Sequence, residues 1–143
     1  MKPAGLAVPL MGGDGIYDAN YIKLGGNDGD LATSVGAPVE TLDSAKAFLD
    51  GYKAAGYAEG YSAYGAYAYD AAEAIISALK TSLASASDAK SAREATITAM
   101  ASVSFDGATG KVAFDKYGDS VSRVLTVYKV VDGAWKAEKT GEL

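Results

Sequence analysis

The 143-residue sequence contains neither cysteine nor histidine. Without cysteine, the chain can form no disulfide bond and carry out no thiol chemistry. Histidine is the commonest general base and the commonest transition-metal ligand, so its absence excludes Ser-His-Asp and Cys-His catalysis within this chain. An enzyme would have to use carboxylates, lysines or tyrosines. We therefore expect a non-catalytic protein that needs no cofactor and no metal.

Positive charge and long apolar runs are also scarce. Lysine and arginine number 13 against 18 aspartates and glutamates, which gives a net charge of -5 and argues against a nucleic-acid surface. No run approaches the roughly 18 apolar residues of a membrane span, so we expect no membrane insertion by this segment. The apolar stretch before Met11 is too short and too interrupted by proline for a signal peptide.

What the sequence does contain suits one folded, soluble unit, with 49% hydrophobic and 22% charged residues. Near its start, an apolar run at residues 6–10 leads into the glycine-rich segment Gly12–Gly15. This pattern predicts a buried strand of the parallel type with a loop at its carboxyl end, where ligands bind in open α/β sheets. Asp14 in that loop is a candidate ligand for a cationic group, although aspartate between glycines is also typical of ordinary turns.

Helical spacing of apolar residues predicts three helices. They cover about Asp43–Ala55, about Tyr64–Leu83, and a segment from a Ser91-x-x-Glu94 capping box to about Ala101. Gly56 is the predicted C-cap of the first. The second should bury a stripe of apolar residues, namely Ala71, Ala74, Ile75, Ala78 and Leu79.

Strand patterns dominate the C-terminal part of the chain. The predicted strands are Leu31–Val35, Phe105–Gly107, Lys111–Phe114 and Arg123–Val131. Turns are predicted at Thr109-Gly110 and at Asp132-Gly133, the latter joining a hairpin before Trp135. The first strand, at residues 6–10, has no clear parallel partner within the chain. We therefore expect its neighbours upstream, in a longer protein.

Tyrosine is frequent, with ten residues in the chain and five of them between Tyr57 and Tyr69. Tyr57, Tyr61, Tyr64 and Ala68 share helical spacing, which predicts a packed stripe. Other sites are disfavoured: the Asn27–Asp30 segment lacks the EF-hand spacing, and Asp14 would repel a phosphate in its loop. No pair of carboxylates is singled out for glycoside hydrolysis.

Two segments at opposite ends of the chain carry a resemblance to a known family. They are Pro9–Gly15 (PLMGGDG) and Phe105–Asp115 (FDGATGKVAFD), the latter followed by Tyr117–Asp119 and Val127–Trp135. In this order and at this separation they resemble the C-terminal part of the branched-chain amino-acid-binding proteins of ABC importers. The resemblance implies a partial type I periplasmic-binding fold of the α/β class. In this chain it would comprise a strand, three helices and then C-terminal antiparallel strands.

The resemblance also implies domains and site residues. Residues 1–36 would belong to the second of two lobes and residues 37–122 to the first. Residues 123–143 would cross the hinge and return to the second lobe. Asp14 matches the acidic position of the family's G-x-[DE]-G loop, which accepts the ligand's α-ammonium. Tyr64 falls where an aromatic residue lines the pocket opposite the ligand's side chain.

For the intact protein, the resemblance implies an extracytoplasmic receptor, periplasmic or a cell-surface lipoprotein, with its export signal upstream. It would bind a small amino acid, close like a hinge and be read by an ABC permease. The segment that holds the ligand's carboxylate in this family is missing here. We therefore expect no tight binding by this chain alone, and self-association through exposed strand edges.

Several alternatives remain open at this point. The chain could be a truncation, a proteolytic product or a natural small protein, and in the last case a stand-alone binding or interaction module. The receptor could sense its ligand instead of transporting it. Relatives in the family also take amides, other amino acids, aromatic acids or urea. Asp14 favours a ligand with an ammonium group and nothing finer.

Overall fold

The computed structural model describes residue 5 and residues 8–84 and 86–143. The chain divides into two compact units, Met1–Pro38 with Val124–Leu143 and Val39–Arg123. We call the first the sheet unit and the second the helical unit. The assignment of these units to the two lobes of a receptor stays a prediction.

Six strands and four α-helices form among the described residues. The strands are β1 (Met11–Gly12), β2 (Leu31–Val35), β3 (Ser104–Gly107), β4 (Gly110–Ala113), β5 (Val124–Val131) and β6 (Ala134–Glu142). The α-helices are α1 (Ala19–Lys23), α2 (Lys46–Ala55), α3 (Gly65–Ser82) and α4 (Ala89–Met100). Short 3₁₀-helices cover Asp14–Ile16, Val39–Thr41 and Asp43–Ala45. The five-residue helix α1 was not predicted from the sequence. None of the helices described is long and apolar enough to cross a membrane.

The sheet unit contains a four-stranded sheet in the order β1-β2-β5-β6. Strand β1 runs parallel to β2, with Met11 opposite Leu31, so the expectation that the first strand lacks a parallel partner was wrong. Residues 6 and 7 of the predicted strand lie outside the described residues. Among those described, the strand begins only at Met11, because the N–H of Leu10 donates to the Asp30 carboxylate and not to a neighbouring strand.

Strands β5 and β6 form the predicted hairpin. Asp132 and Gly133 both have positive φ angles, 54° and 70°, as a two-residue type I′ turn requires. Alternate residues of β5 are buried, and Thr126, Tyr128 and Val130 point into the core of the unit. This period of two confirms the predicted strand. The prediction, Arg123–Val131, was one residue longer than the observed strand.

In the helical unit, α2 and α3 form close to their predicted boundaries. Gly56 ends α2 in the left-handed conformation, with φ 66°, which confirms the predicted C-cap. The buried face of α3 differs from the predicted stripe, because Ala71 and Ile75 are exposed. The face that is buried consists of Ala66, Asp70, Ala74, Ala78 and Ser82. These residues recur every fourth position, and the small side chains of Ala74, Ala78 and Ser82 allow α4 and Val103 to pack closely against the helix.

Helix α4 begins one turn earlier than its predicted capping box. Asp88 is the N-cap: its carboxylate accepts a hydrogen bond from the Ser91 N–H at 2.7 Å, and the Ser91 hydroxyl accepts one from the Asp88 N–H. Ser91 therefore occupies the third helical position, and the predicted Ser91–Glu94 box was wrong. The hydrogen bonds from Ser91 lower the pKa of Asp88.

The hairpin β3–β4, predicted around Thr109-Gly110, is fastened to α3 by one buried carboxylate. Asp70 accepts hydrogen bonds from the N–H of Ala108 at 2.8 Å, from the N–H of Thr109 at 2.8 Å and from the Thr109 hydroxyl at 2.6 Å. A Cβ at Gly107 would lie 2.6 Å from this carboxylate, so only glycine allows the close approach.

The tyrosine-rich segment forms a cluster in place of the predicted helical stripe. Tyr57 and Tyr61 lie in the connection between α2 and α3, and their spacing is not that of a helix. The Tyr61 ring packs edge-on against Phe48 at 5.5 Å, and its hydroxyl donates to the Glu40 carboxylate. The prediction failed because Gly56 ends α2 before Tyr57 is reached.

Candidate functional site

The loop after β1 is the candidate ligand site in the sheet unit. It begins at Gly13, forms one turn of 3₁₀-helix over Asp14–Ile16 and leads into α1. The Asp14 side chain is exposed at the start of this turn. A Cβ at Gly12 would lie 2.6 Å from Cδ1 of Ile16, so this glycine lets the Ile16 side chain lie close over the strand end. The structure thus places Asp14 in the predicted loop at the carboxyl end of a parallel strand.

The entry to the Asp14 loop is fixed by Asp30, a carboxylate that is only 2% exposed. One of its oxygens accepts from the N–H of Leu10 at 2.8 Å. The other accepts from the N–H of Asn27 and from the Tyr21 hydroxyl, both at 2.8 Å. Asp30 therefore connects the residue before β1 to α1 and to the turn before β2.

The exit of the Asp14 loop is fixed by aromatic side chains. Tyr17 stacks on the buried ring of Tyr128, with centroids 3.9 Å apart and planes 25° apart. The indole of Trp135 contacts Tyr17 at 5.8 Å and Tyr21 at 5.5 Å between centroids. The indole N–H also donates to the carbonyl oxygen of Asp18 at 3.1 Å. This cluster was not predicted from the sequence, where the only signal for it is the closeness of two tyrosines, Tyr17 and Tyr21, around the start of α1.

Tyr64, the second predicted site residue, lies in the helical unit. It is the N-cap of α3, its carbonyl oxygen accepts from the Ala68 N–H at 2.9 Å, and its side chain is 47% exposed. Asp14, by contrast, belongs to the sheet unit. Their contribution to one shared pocket stays a prediction.

The grooves in the described part of the helical unit include two open ones, and Tyr64 lines neither of these. One, of about 520 Å³, lies between α3 and α4 and is lined mostly by small and hydroxyl side chains. The other, of about 420 Å³, lies beside Asp70 and includes Phe48, Glu73 and Lys80. Over residues 5, 8–84 and 86–143 there is no group of three or more acidic side chains placed to hold a metal ion.

The pKa values of Tyr21 and Tyr61 are raised. Burial, and then the hydrogen bond and charge of Asp30, raise the pKa of Tyr21 to about 12. Burial and Glu40 raise the pKa of Tyr61 to about 12 in the same way. Both phenols are therefore protonated hydrogen-bond donors at neutral pH.

We expect these two phenols to ionise late in an alkaline absorbance titration. Because their folded pKa values lie above the usual value of about 10, the stability they contribute is complete below pH 10 and is lost as pH rises towards 12. Tyr21→Phe and Tyr61→Phe should each remove one late-ionising phenol from the titration. Asp28→Asn, at an exposed carboxylate, is the control and should remove none. Ionisation of Tyr21 and Tyr61 near pH 10 would contradict the two hydrogen bonds.

Several solved structures share this fold. A leucine binding protein, LivK, from Thermotoga maritima is 25% identical with a TM-score of 0.77, and the match covers 99% of this chain and 39% of that one. An ABC transporter substrate-binding protein from Desulfitobacterium hafniense, in complex with Leu, is 22% identical with a TM-score of 0.68, over 95% and 37% of the two chains. A solute binding protein from R. palustris, in complex with benzoate, is 18% identical with a TM-score of 0.74, over 98% and 38%. No curated protein sequence matches the chain.

These matches extend over nearly all of this chain but over less than half of each similar structure. The chain therefore has a partial type I periplasmic-binding fold, with mixed α/β structure in both compact units. A family model described as periplasmic binding protein matches residues 1–134. This match ends at the first residue of β6, and on it the chain belongs to the periplasmic binding protein family.

Proposed function

We propose that this chain is part of an extracytoplasmic solute receptor that captures a small amino acid for an ABC importer. The observation that carries the proposal is Asp14, an exposed carboxylate in a loop fixed at both ends, at the carboxyl end of a parallel strand. Ligands bind at such strand ends in open α/β sheets. There, a carboxylate makes charge-assisted hydrogen bonds to an α-ammonium group. A receptor role requires no catalytic group from this chain.

The ligand class follows from the charge of the site. The similar structures include a leucine binding protein and one with bound benzoate. Asp14 and the net charge of -5 would repel a ligand that carries only a carboxylate. An amino acid offers an ammonium group to Asp14, and a branched aliphatic side chain would suit the exposed ring of Tyr64. We therefore favour a branched-chain amino acid over an aromatic acid.

The chain by itself should bind such a ligand weakly. It spans 39% of the leucine binding protein that it resembles. Asp14 and Tyr64 address the ammonium group and the side chain, whereas the ligand's carboxylate has no assigned partner. We expect a dissociation constant of about 1 mM or weaker, which corresponds to about 4 kcal/mol of binding free energy. In the intact receptor, the sheet unit would form part of the second lobe and the helical unit part of the first, and a permease would read the closed form.

The proposal predicts a preference for the ammonium group. Ligand-observed NMR should show L-leucine binding at least about tenfold more tightly than 4-methylpentanoate, which has the same carbon chain and carboxylate but no ammonium. Asp14→Asn should reduce leucine binding to the level of 4-methylpentanoate. Asp18→Asn is the matched control, because it removes the same charge four residues away and asparagine still caps α1.

Two results would count against the proposal. Equal binding of leucine and 4-methylpentanoate would remove the role of Asp14 in ammonium recognition. A micromolar dissociation constant for leucine in calorimetry would contradict the weak binding expected of this chain alone. In that case the ligand's carboxylate would have a partner within the chain.

We also propose that the chain self-associates through a sheet edge. The edges of the sheet are β1 and β6. Strand β6 carries Lys136 and Lys139 and a bulge opposite Val127 and Tyr128, features that oppose edge-to-edge pairing. The short β1 edge, with Met11 exposed, carries no such charge.

Light scattering should therefore show concentration-dependent dimers that Met11→Lys reduces. The control, Ile97→Lys, places the same charge at an exposed apolar position on α4 and should leave the dimers intact. A monodisperse monomer at all concentrations would contradict self-association. Loss of the dimers in the Ile97 variant alone would contradict the edge as its route.

A further inference from the structure

We infer that Trp135 is a positioning residue that holds the Asp14 loop in the conformation that receives the ligand. The inference rests on the proposed role of Asp14 and adds a residue 121 positions away in sequence, on the edge strand β6. Trp135 itself need not touch the ligand. It contacts Tyr17 and Asp18, the residues that follow the 3₁₀ turn containing Asp14.

The contacts that support this role converge on the loop exit. The indole N–H of Trp135 donates to the carbonyl oxygen of Asp18, the residue that caps α1. The indole ring packs against Tyr17, which directly follows the 3₁₀ turn, and against Tyr21 one helical turn later. Tyr17 is in turn stacked on Tyr128 of β5. The two strands of one hairpin thus hold both the backbone and the side chains of the loop exit.

The loop needs such an anchor because its own sequence gives it little stiffness. Gly13 and Gly15 flank Asp14, and a Cβ built at either glycine would meet nothing within 4 Å. Neither residue is glycine for reasons of packing, and both add backbone freedom that must be lost when a ligand is held. Asp30 fixes the entry through the N–H of Leu10, and beyond the loop it binds the Tyr21 hydroxyl in α1 but not the loop exit itself. Trp135 closes the loop from the other side.

The test begins with the free protein. Trp135→Phe removes the N–H that binds Asp18 and keeps an aromatic ring beside Tyr17. The N–H groups of Tyr17 and Asp18 are bonded within the loop, to Asp14 and Ile16 at 2.9 and 2.8 Å. Their hydrogen exchange should accelerate about tenfold in the variant, while amides of β5 stay protected. Lys136→Ala, the next residue on the same strand, is the control and should leave exchange at the loop unchanged.

The second readout separates positioning from general loss of structure. If Trp135 acts through Asp14, Trp135→Phe should weaken leucine binding about fivefold and leave binding of 4-methylpentanoate unchanged. A general loss of structure would weaken both equally. If the variant also exposes the β5 amides, Tyr17→Leu takes its place, because it removes the stack on Tyr128 and keeps the indole. Acceleration at Asp18 is then expected again.

The outcomes distinguish this inference from the proposed function. Unchanged exchange at the amides of positions 17 and 18 in both variants would overturn the role of Trp135, whatever the ligand results. Unchanged leucine binding despite faster exchange would overturn it as well, because positioning would then have no effect on recognition. Equal binding of leucine and 4-methylpentanoate by the unmodified chain would instead count against the proposed function. The exchange comparison would still decide whether Trp135 holds the loop.

Discussion

Asp70→Ala is expected to destabilise the helical unit by about 3 kcal/mol or more, as measured by urea denaturation followed by circular dichroism. The carboxylate is 3% exposed and accepts three hydrogen bonds from Ala108 and Thr109. Hydrogen bonds to a charged group contribute about 1.5–3 kcal/mol each, and removing the acceptor leaves buried donors unsatisfied. The hairpin β3–β4 would lose its connection to α3.

Two further variants sharpen this prediction. Asp70→Asn should cost about 2 kcal/mol, because its amide nitrogen would face donors that now meet a carboxylate oxygen. Asp106→Asn is the matched control on the same hairpin: its side chain is 87% exposed and forms a 3.6 Å ion pair with Lys111. Asp106→Asn should change the free energy of unfolding by less than about 0.5 kcal/mol. Equal stability of the Asp70 and Asp106 variants would contradict the buried connection.

Asp30→Ala is expected to lower the unfolding free energy of the sheet unit by about 3 kcal/mol. It should also leave the start of the Asp14 loop without its hydrogen bond. The residue is buried and accepts from Leu10, Asn27 and Tyr21, all at 2.8 Å. The fluorescence of Trp135, the only tryptophan in the chain, reports unfolding of this unit directly. Leucine binding should weaken together with stability, because the position of Asp14 depends on both ends of its loop.

The neighbouring carboxylate provides the control. Asp28 is exposed and accepts from the N–H of Gly133 at 3.1 Å, a bond that asparagine can also make. Asp28→Asn should therefore change stability by less than about 0.5 kcal/mol.

Asp30→Asn should lower the pKa of Tyr21 from about 12, because the charge of Asp30, which is one cause of the raised pKa, is removed. An unchanged pKa of Tyr21 in that variant would contradict the hydrogen bond.

Local patterns in the sequence predicted much of the secondary structure. The boundaries of α3 and the type I′ turn at Asp132-Gly133 depend on residues close together in the chain, so periodicity and turn chemistry suffice. The buried face of α3 was predicted less well, because close packing against α4 selects small residues and leaves Ile75 exposed. A pattern of hydrophobicity alone cannot identify such a face.

The connections that fix the candidate site are long-range, and no local pattern indicates them. Trp135 binds the carbonyl of Asp18 across 117 positions, and Asp30 binds the N–H of Leu10 across 20. The parallel pairing of β1 with β2 was not predicted either, because a strand of two residues shows almost no periodicity in the sequence. Asp14 could be proposed from its glycine loop and the family resemblance. The hydrogen bonds of Asp30 and Trp135 that hold this loop could be identified only from the three-dimensional structure.

The most direct test of the central claim is a chemical-shift map of the nitrogen-15-labelled chain during a titration with L-leucine to about 10 mM. The account predicts that the shifts within the sheet unit concentrate at the amides of residues 12–18 and disappear in Asp14→Asn. It also predicts that 4-methylpentanoate produces no comparable shifts at those amides. Leucine-dependent shifts that leave residues 12–18 unaffected, or that persist unchanged in Asp14→Asn, would contradict the claim that Asp14 receives the ligand's ammonium group.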